Sequence, residues 1–326
     1  MHRPHPASLA TVCLTCAAAF TAAAAAPPPE IVIPGEHIFP ESITSSADGT
    51  VIIGSIGART IFRARPGAAM AQAWIAPGTD EMQSIFGVFA DDASSTLWAC
   101  SQANPFGPQA PGPHAPAALY AFDLKSGAPK GHYPFPSAGA FCNDIAVGAD
   151  GTAYATDTNN MEVVRLKKGT AALEVWAGSG AFGPRGGVLD GIAVLGKQLL
   201  VNTLGTSKLF TVAIQPDGSA GAVALVKLDQ QIERPDGMRS FGAHSLLIAE
   251  GGGTGRLSRV DITGNTGRTT TLKLGYPDGP VAVTVVGTTA YLLEGQLSQL
   301  MRPGGPDPSA RPRPFRATAV EVGTPH

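Results

Sequence analysis

The most constraining feature of this 326-residue chain is a phrase that recurs six times. Each copy has a polar residue, often followed by Gly, then an apolar strand, a turn and a second apolar strand. The clearest copy is Pro235-Asp236-Gly237-Met238, followed by Leu246-Leu247-Ile248-Ala249. A period of roughly 45 residues with paired short strands is typical of propeller blades. The sequence therefore predicts an all-β protein, a six-bladed β-propeller with four-stranded blades, in preference to a two-sheet sandwich.

The second half of each unit supports this prediction. Segments such as Glu162-Val163-Val164-Arg165-Leu166 alternate between apolar and polar side chains, as half-buried strands do. A propeller usually closes when one terminus completes the blade that the other terminus begins. The candidates are Ile31–Ile33 near the start and Phe315–Val322 near the end, and the sequence does not choose between them.

The start of the chain reads as a secretion signal. Arg3 gives a basic region, an apolar run extends from Leu9 to Phe20, and small residues reach Ala26 before three prolines. We therefore predict a signal peptide over residues 1–26, a single propeller domain over residues 27–326, and a periplasmic or secreted product. The apolar run is short for a membrane span, so we expect no membrane insertion.

Charge and composition narrow the possible partners. The formal net charge is −2 and no basic run is present, which argues against nucleic-acid binding. No Gly-x-Ser-x-Gly elbow supports serine catalysis. We expect a monomer that acts on a small molecule.

An insertion from Gln102 to Pro116 is dense in Pro, Gly and Ala, and is either a lid over a pocket or a rigid surface loop.

Two cysteines remain once the signal is removed. Cys100 ends the second strand of one blade and Cys142 opens the next blade. In an oxidising compartment they could form a disulfide. Two separate buried thiols are the alternative.

The repeated phrase also places one residue of each blade at the mouth of the central channel. In a propeller the innermost strands start at one face, so their first positions form a ring. The ring predicted here comprises Glu41, Phe86, Asn143, Asp190, Asp236 and Asp278. Buried like charges repel strongly unless a cation compensates them. Oxygen ligands without His or Cys favour calcium, with magnesium, manganese or zinc as alternatives.

We predict the metal ligands to be Glu41, Asn143, Asp190 and Asp236. Asp278 is expected slightly off the ion, where it would help to line the substrate pocket. The competing interpretation is that these Asp and Asn residues before Gly are ordinary turn residues.

Four of these copies, in this order, resemble a known family: Pro40-Glu41-Ser42, Cys142-Asn143-Asp144, Leu189-Asp190-Gly191 and Pro235-Asp236-Gly237-Met238. They are similar to the senescence-marker-protein/gluconolactonase/luciferin-regenerating-enzyme family, over about Ile38 to Glu294. The resemblance implies a six-bladed propeller with one divalent ion at the channel mouth and, in many members, lactone hydrolysis. It implies that Glu41 and Asp236 are metal ligands and that Asn143 contacts metal or substrate.

The chain departs from that family at three positions. Asp190 stands where members usually have Asn, so the ligand gains a charge. Phe141 stands where sugar lactonases carry Arg, and Phe86 occupies the ring position of the second blade. Both aromatic residues predict an apolar substrate pocket and argue against a sugar-acid lactone.

Two kinds of function fit these observations. The first is a metal-dependent lactonase or esterase, in which the ion polarises the carbonyl and Asp236 acts as general base. The second is a non-catalytic exported propeller that binds a ligand and has a structural metal. A weaker third reading is a strictosidine-synthase-like propeller, whose catalytic Glu would be Glu250 or Glu294.

Overall fold

The fold is described from a computed structural model that covers residues 1–2, 27–106, 115–183, 187–302, 309 and 311–325. The predicted signal peptide and most of the 102–116 insertion lie outside the described residues, so those two predictions stay predictions. Within the described part of the chain, no helix is long and apolar enough to cross a membrane.

The described residues form a six-bladed β-propeller, as the repeat predicted. A leading strand, β1, spans Glu30–Ile33. The strands of the first three blades are β2 (Pro40–Ser45), β3 (Val51–Ser55), β4 (Ile61–Ala64) and β5 (Gln72–Ile75); β6 (Ser84–Asp91), β7 (Thr96–Gln102), β8 (Ala118–Asp123) and β9 (Pro129–Pro134); β10 (Cys142–Val147), β11 (Ala153–Asp157), β12 (Glu162–Leu166) and β13 (Glu174–Ala177).

The strands of the last three blades are β14 (Leu189–Leu195), β15 (Gln198–Thr203), β16 (Lys208–Ile214) and β17 (Ala220–Leu225); β18 (Lys227–Leu228), β19 (Pro235–Phe241), β20 (Ser245–Glu250), β21 (Arg256–Thr263) and β22 (Thr266–Leu274); β23 (Pro280–Val286), β24 (Thr289–Glu294) and β25 (Phe315–Glu321), joined by β1. Three short helices span Thr79–Glu81, Ser179–Phe182 and Leu297–Leu300.

Both ends of the chain close the propeller. In the sixth blade β25 pairs with β24 on one side and with β1 on the other, both antiparallel. The two candidate closing segments are therefore both used, and they lie side by side in one sheet. This places the final blade next to the first, so the innermost strands β2 and β23 are neighbours around the channel.

Every innermost strand has a β-bulge at its start. The register between the first and second strands shifts at Glu41, Phe86 and Val281 in blades one, two and six. In blades three, four and five it shifts at a pair of residues: Asn143-Asp144, Asp190-Gly191 and Asp236-Gly237. A bulge re-aims the side chain of its extra residue. In five of its six copies the repeated phrase therefore marks a bulge at the start of the innermost strand.

Candidate metal centre

Three of the predicted ligands come together at this ring of bulges. Glu41, Asp190 and Asp236 each offer a carboxylate oxygen, and these oxygens all lie within 4.8 Å of one another. Glu41 and Asp190 are buried, and Asp236 is half-buried. Calcium–oxygen distances are about 2.3–2.6 Å, so oxygens at this separation can share one ion.

Asn143 lies in the bulge of the third blade and is buried. Its amide nitrogen donates a hydrogen bond to the Thr158 hydroxyl at 3.1 Å, and that hydroxyl donates to the Leu189 carbonyl at 2.7 Å. These bonds turn the amide nitrogen toward the fourth blade. The Asn143 side-chain oxygen is the atom suited to a cation.

Burial and neighbouring negative charges raise the pKa values of all three carboxylates. Burial, followed by the charges of Asp236, Asp190 and Asp144, raises the pKa of Glu41 well above its usual value. Burial and the charge of Asp144 raise the pKa of Asp190 to about 7, against a hydrogen bond from Asp236 that lowers it. Burial and the charge of Asp190 raise the pKa of Asp236 well above its usual value. The group is poised to gain a positive charge, as a proton or as a metal ion.

The Asp190 side chain gives a second observation that fits a cation at this site. Its Oδ1 atom is buried, and it has no hydrogen-bond partner among the described residues. Buried polar atoms in native proteins are nearly always satisfied, so an orphan carboxylate oxygen indicates a partner of another kind. The residues present therefore fit a hard divalent cation.

Two buried side chains that the sequence interpretation missed hold the bulges in place. The Thr156 hydroxyl accepts from the Asp144 backbone N–H at 3.1 Å and donates to the Asp190 carbonyl at 2.8 Å. The Asn202 amide accepts from the Gly191 N–H at 3.2 Å and donates to the Asp236 carbonyl at 2.7 Å. The signal that could have found them is a polar residue late in each apolar second strand.

The glycines that follow the ring residues are required by close packing between blades. A Cβ on Gly191 would lie 2.4 Å from the Asp236 carbonyl oxygen, and one on Gly87 would lie 2.2 Å from the Asn143 carbonyl oxygen. Neither glycine has a positive φ. Gly191 and Gly237 therefore lie within strands, and the reading of their Asp-Gly pairs as ordinary turns is wrong.

Replacing Gly191 with Ala should destabilise the protein by about 2–3 kcal/mol, because the new methyl group would overpack the contact between blades four and five. Thermal unfolding measures the effect, and Gly178→Ala is the matched control. Gly178 has open space around its Cβ position and an ordinary φ of −82°. Equal melting temperatures for the two variants would contradict the close contact.

Asp278 does not lie in the ring, contrary to the prediction. The sixth-blade bulge is at Val281, because Gly279 has a φ of 71° and forms a true turn ahead of the strand. The Asp278 carboxylate instead lies 2.6 Å from the Arg313 guanidinium. A contact between Asp278 and a substrate stays a prediction.

Aromatic side chains cover the second-blade side of the ring. Phe86 is buried in its bulge, and the Phe141 ring packs edge-on against it at 4.7 Å between centroids. The Phe106 ring packs against the Phe86 ring, with 6.4 Å between the centroids. Phe141 also lines a cleft of about 490 Å³, together with Phe135 and prolines at the edges of the insertion. The cleft is therefore lined mainly by apolar side chains.

Cys100 and Cys142 form a disulfide beside this aromatic cluster. It joins the second strand of blade two to the first strand of blade three, one residue before Asn143. The alternative of two separate thiols is therefore wrong. The bond fixes the two blades that carry Phe86 and Asn143 relative to each other.

The chain matches no protein-family model and no curated protein sequence. Its fold is similar to solved structures. Regucalcin from Agrobacterium tumefaciens, described as a calcium-binding protein, is 13% identical, with a TM-score of 0.57 over 90% of this chain and 96% of that chain. A gluconolactonase from Xanthomonas campestris is 16% identical, with a TM-score of 0.57 over 80% and 84%. The luciferin-regenerating enzyme is 11% identical, with a TM-score of 0.62 over 90% and 97%.

These comparisons confirm, at the level of structure, the resemblance that the motifs indicated. The chain shares the fold of these three structures. At such low identity the likeness concerns the fold. Function must be argued from the residues of the site.

Proposed function

We propose that this protein is an exported, metal-dependent hydrolase of small lactones or carboxylic esters. The observation that carries the proposal is the convergence of Glu41, Asp190 and Asp236 around a buried, unpartnered Asp190 oxygen. Glu41, Asn143, Asp190 and Asp236 would hold the ion, with calcium as the first expectation because all four offer oxygen. When bound, such an ion polarises a carbonyl and offsets the negative charge that develops on its oxygen.

Asp236 is the proposed general base. It is the most exposed of the three carboxylates, and the Gly237 N–H donates to its Oδ1 atom at 2.9 Å, which orients it. Asp236 would take a proton from a water whose oxygen attacks the carbonyl carbon. The same proton would then pass to the alkoxide that leaves when the ester C–O bond breaks, so the hydrolysis is balanced.

The aromatic side chains determine the proposed substrate class. The Phe141 ring packs edge-on against the buried Phe86 in the bulge of blade two, and the cleft lined by Phe141 is large enough for a small acyl or aryl group. A polyhydroxylated sugar lactone would lose hydrogen bonds to water there without replacement. We therefore propose aliphatic or aromatic lactones and esters as substrates.

Export is supported by two features. The leader has the pattern of a signal peptide, and the Cys100–Cys142 disulfide suits an oxidising compartment.

Glu250 pairs with Arg256 at 2.7 Å, and Glu294 accepts from the Asp278 N–H at 3.1 Å. Both acids have partners that suit a structural role, which disfavours the strictosidine-synthase-like alternative.

A hydrolysis screen on the mature protein tests the proposal. We expect calcium-dependent turnover of aliphatic or aromatic lactones, loss of turnover with chelator, and a fall in kcat of about 10²–10⁴-fold in Asp236→Asn. Asp150→Asn is the matched control, since Asp150-Gly151 is the turn between β10 and β11, at the opposite end of β10 from Asn143. Calcium binding without turnover on any ester or lactone would favour the non-catalytic propeller with a structural metal.

A further inference from the structure

A buried ion pair crosses the channel next to the carboxylates. The Arg239 side chain, from blade five, places Nη1 3.0 Å from Asp144 Oδ1 and 2.9 Å from Asp144 Oδ2, in blade three. Both residues are buried, at 8% and 4% exposure. A buried ion pair is weak evidence for stability alone, because desolvation costs as much as the attraction returns. Stability alone therefore does not explain why the fold contains this pair.

The pair is bonded to backbone groups from other blades. Arg239 Nη2 donates to the carbonyl of Val88 at 3.0 Å, in blade two, and to that of Ile43 at 3.3 Å, in blade one. Asp144 Oδ2 accepts from the Ile192 N–H at 3.2 Å, in blade four. Three innermost strands therefore contact this pair, and two more carry its residues. Its charges are fixed in position by the fold.

The pair lies beside the residues of the proposed cation site. Asp144 directly follows Asn143 in the bulge of blade three. The Asp144 backbone N–H donates to the Thr156 hydroxyl at 3.1 Å, and that hydroxyl donates to the Asp190 carbonyl at 2.8 Å. The negative member of the pair thus adds to the charge of the carboxylate group, and the positive member reduces it.

We propose that the two fixed charges of the Arg239–Asp144 pair set how tightly Glu41, Asp190 and Asp236 hold a divalent cation. The inference rests on the cation site of the proposed function. Arg239 is a positioning residue in this account and does not touch the substrate. With all carboxylates ionised, removing Arg239 makes the centre more negative by one charge, and removing the Asp144 charge makes it less negative by one.

The two single variants should therefore shift calcium affinity in opposite directions. Asp144→Asn should weaken binding by about tenfold or more, and Arg239→Met should strengthen it by a similar factor, the size typical of groups just outside a metal's ligands. Calorimetric titration of chelator-treated mature protein with calcium chloride, at fixed pH and ionic strength, measures both. A purely structural pair would lower the melting temperature in both variants without this opposite shift.

Two further variants sharpen the test. The double variant Asp144→Asn/Arg239→Met restores the net charge, and should bind calcium within about threefold of wild type because long-range charge effects add. Arg239→Lys keeps the charge while losing the forked contact, so its affinity should stay near wild type.

Asp144→Asn is nearly isosteric and is the variant chosen to remain folded. An unchanged calcium affinity in it would overturn the proposal even if Arg239→Met does not fold. Weaker binding in both single variants, or a double variant that stays tenfold or more from wild type, would also overturn it. Failure of the wild-type protein to bind calcium would instead remove the cation site itself, and with it the proposed function.

Discussion

Replacing Asp190 with Asn should make the calcium-free protein more stable at about pH 8, and lower its calcium affinity about a hundredfold or more. Both effects have one cause. In the calcium-free state the buried Asp190 carboxylate is repelled by Asp144 and Asp236, and its Oδ1 atom has no partner among the described residues. A neutral amide relieves that repulsion. With calcium present the carboxylate is a charged ligand, and the amide that replaces it offers an oxygen without the negative charge.

Thermal unfolding with and without calcium measures both effects in one experiment. Wild type should gain stability when calcium is added, whereas Asp190→Asn should start higher and gain little. Asp150→Asn is the control, since it removes an acidic charge from an Asp-Gly turn of the same propeller. If Asp190→Asn were less stable without calcium and still stabilised by it, the carboxylate would be structural.

The calcium-free protein should lose stability as pH rises from about 4 to about 7. The sign follows from proton binding. The raised pKa values of Glu41, Asp190 and Asp236 mean that the folded state retains protons which the unfolded chain, with pKa values near 3.8 and 4.5, has released. The stability contributed by these protons is complete below the unfolded pKa values and is lost as pH rises through the folded ones.

Glu41, Asp190 and Asp236 lie close enough to titrate as one interacting group, so the loss belongs to all three carboxylates and lowers the melting temperature across this pH range. Calcium should reverse the trend, because it competes with the protons and binds best once they have left. Melting curves at stepped pH, in chelator and in calcium, measure both trends. The curves should be taken at steps of about one pH unit. A calcium-free protein that gains stability between about pH 5 and pH 7 would contradict the account.

The blades could be predicted from the sequence because their determinants are local. The period of the repeat and the alternation of strands such as Glu162–Leu166 indicated six four-stranded blades. The structure has six blades, and the fifth carries one short additional strand, Lys227–Leu228. The closing blade was less determined, because strands Glu30–Ile33 and Phe315–Glu321 were each adequate alone. Nothing local shows that both would be used in one sheet.

The candidate site was only partly predictable, because similar phrases have different backbones. Pro235-Asp236-Gly237 forms a bulge inside a strand, whereas Pro277-Asp278-Gly279 is a turn before one, and only the φ of the glycine separates them. The Arg239–Asp144 pair joins residues 95 positions apart, and no motif connects them. Such contacts depend on the closure of the ring and become visible only in three dimensions.

Crystals of the mature protein grown with calcium test the central claim most directly, through the anomalous signal of the bound ion. The account predicts one calcium ion at the channel mouth, coordinated by Glu41, Asp190 and Asp236 with the Asn143 oxygen beside them. An empty centre at saturating calcium, with the three carboxylates directed away from one another, would contradict it.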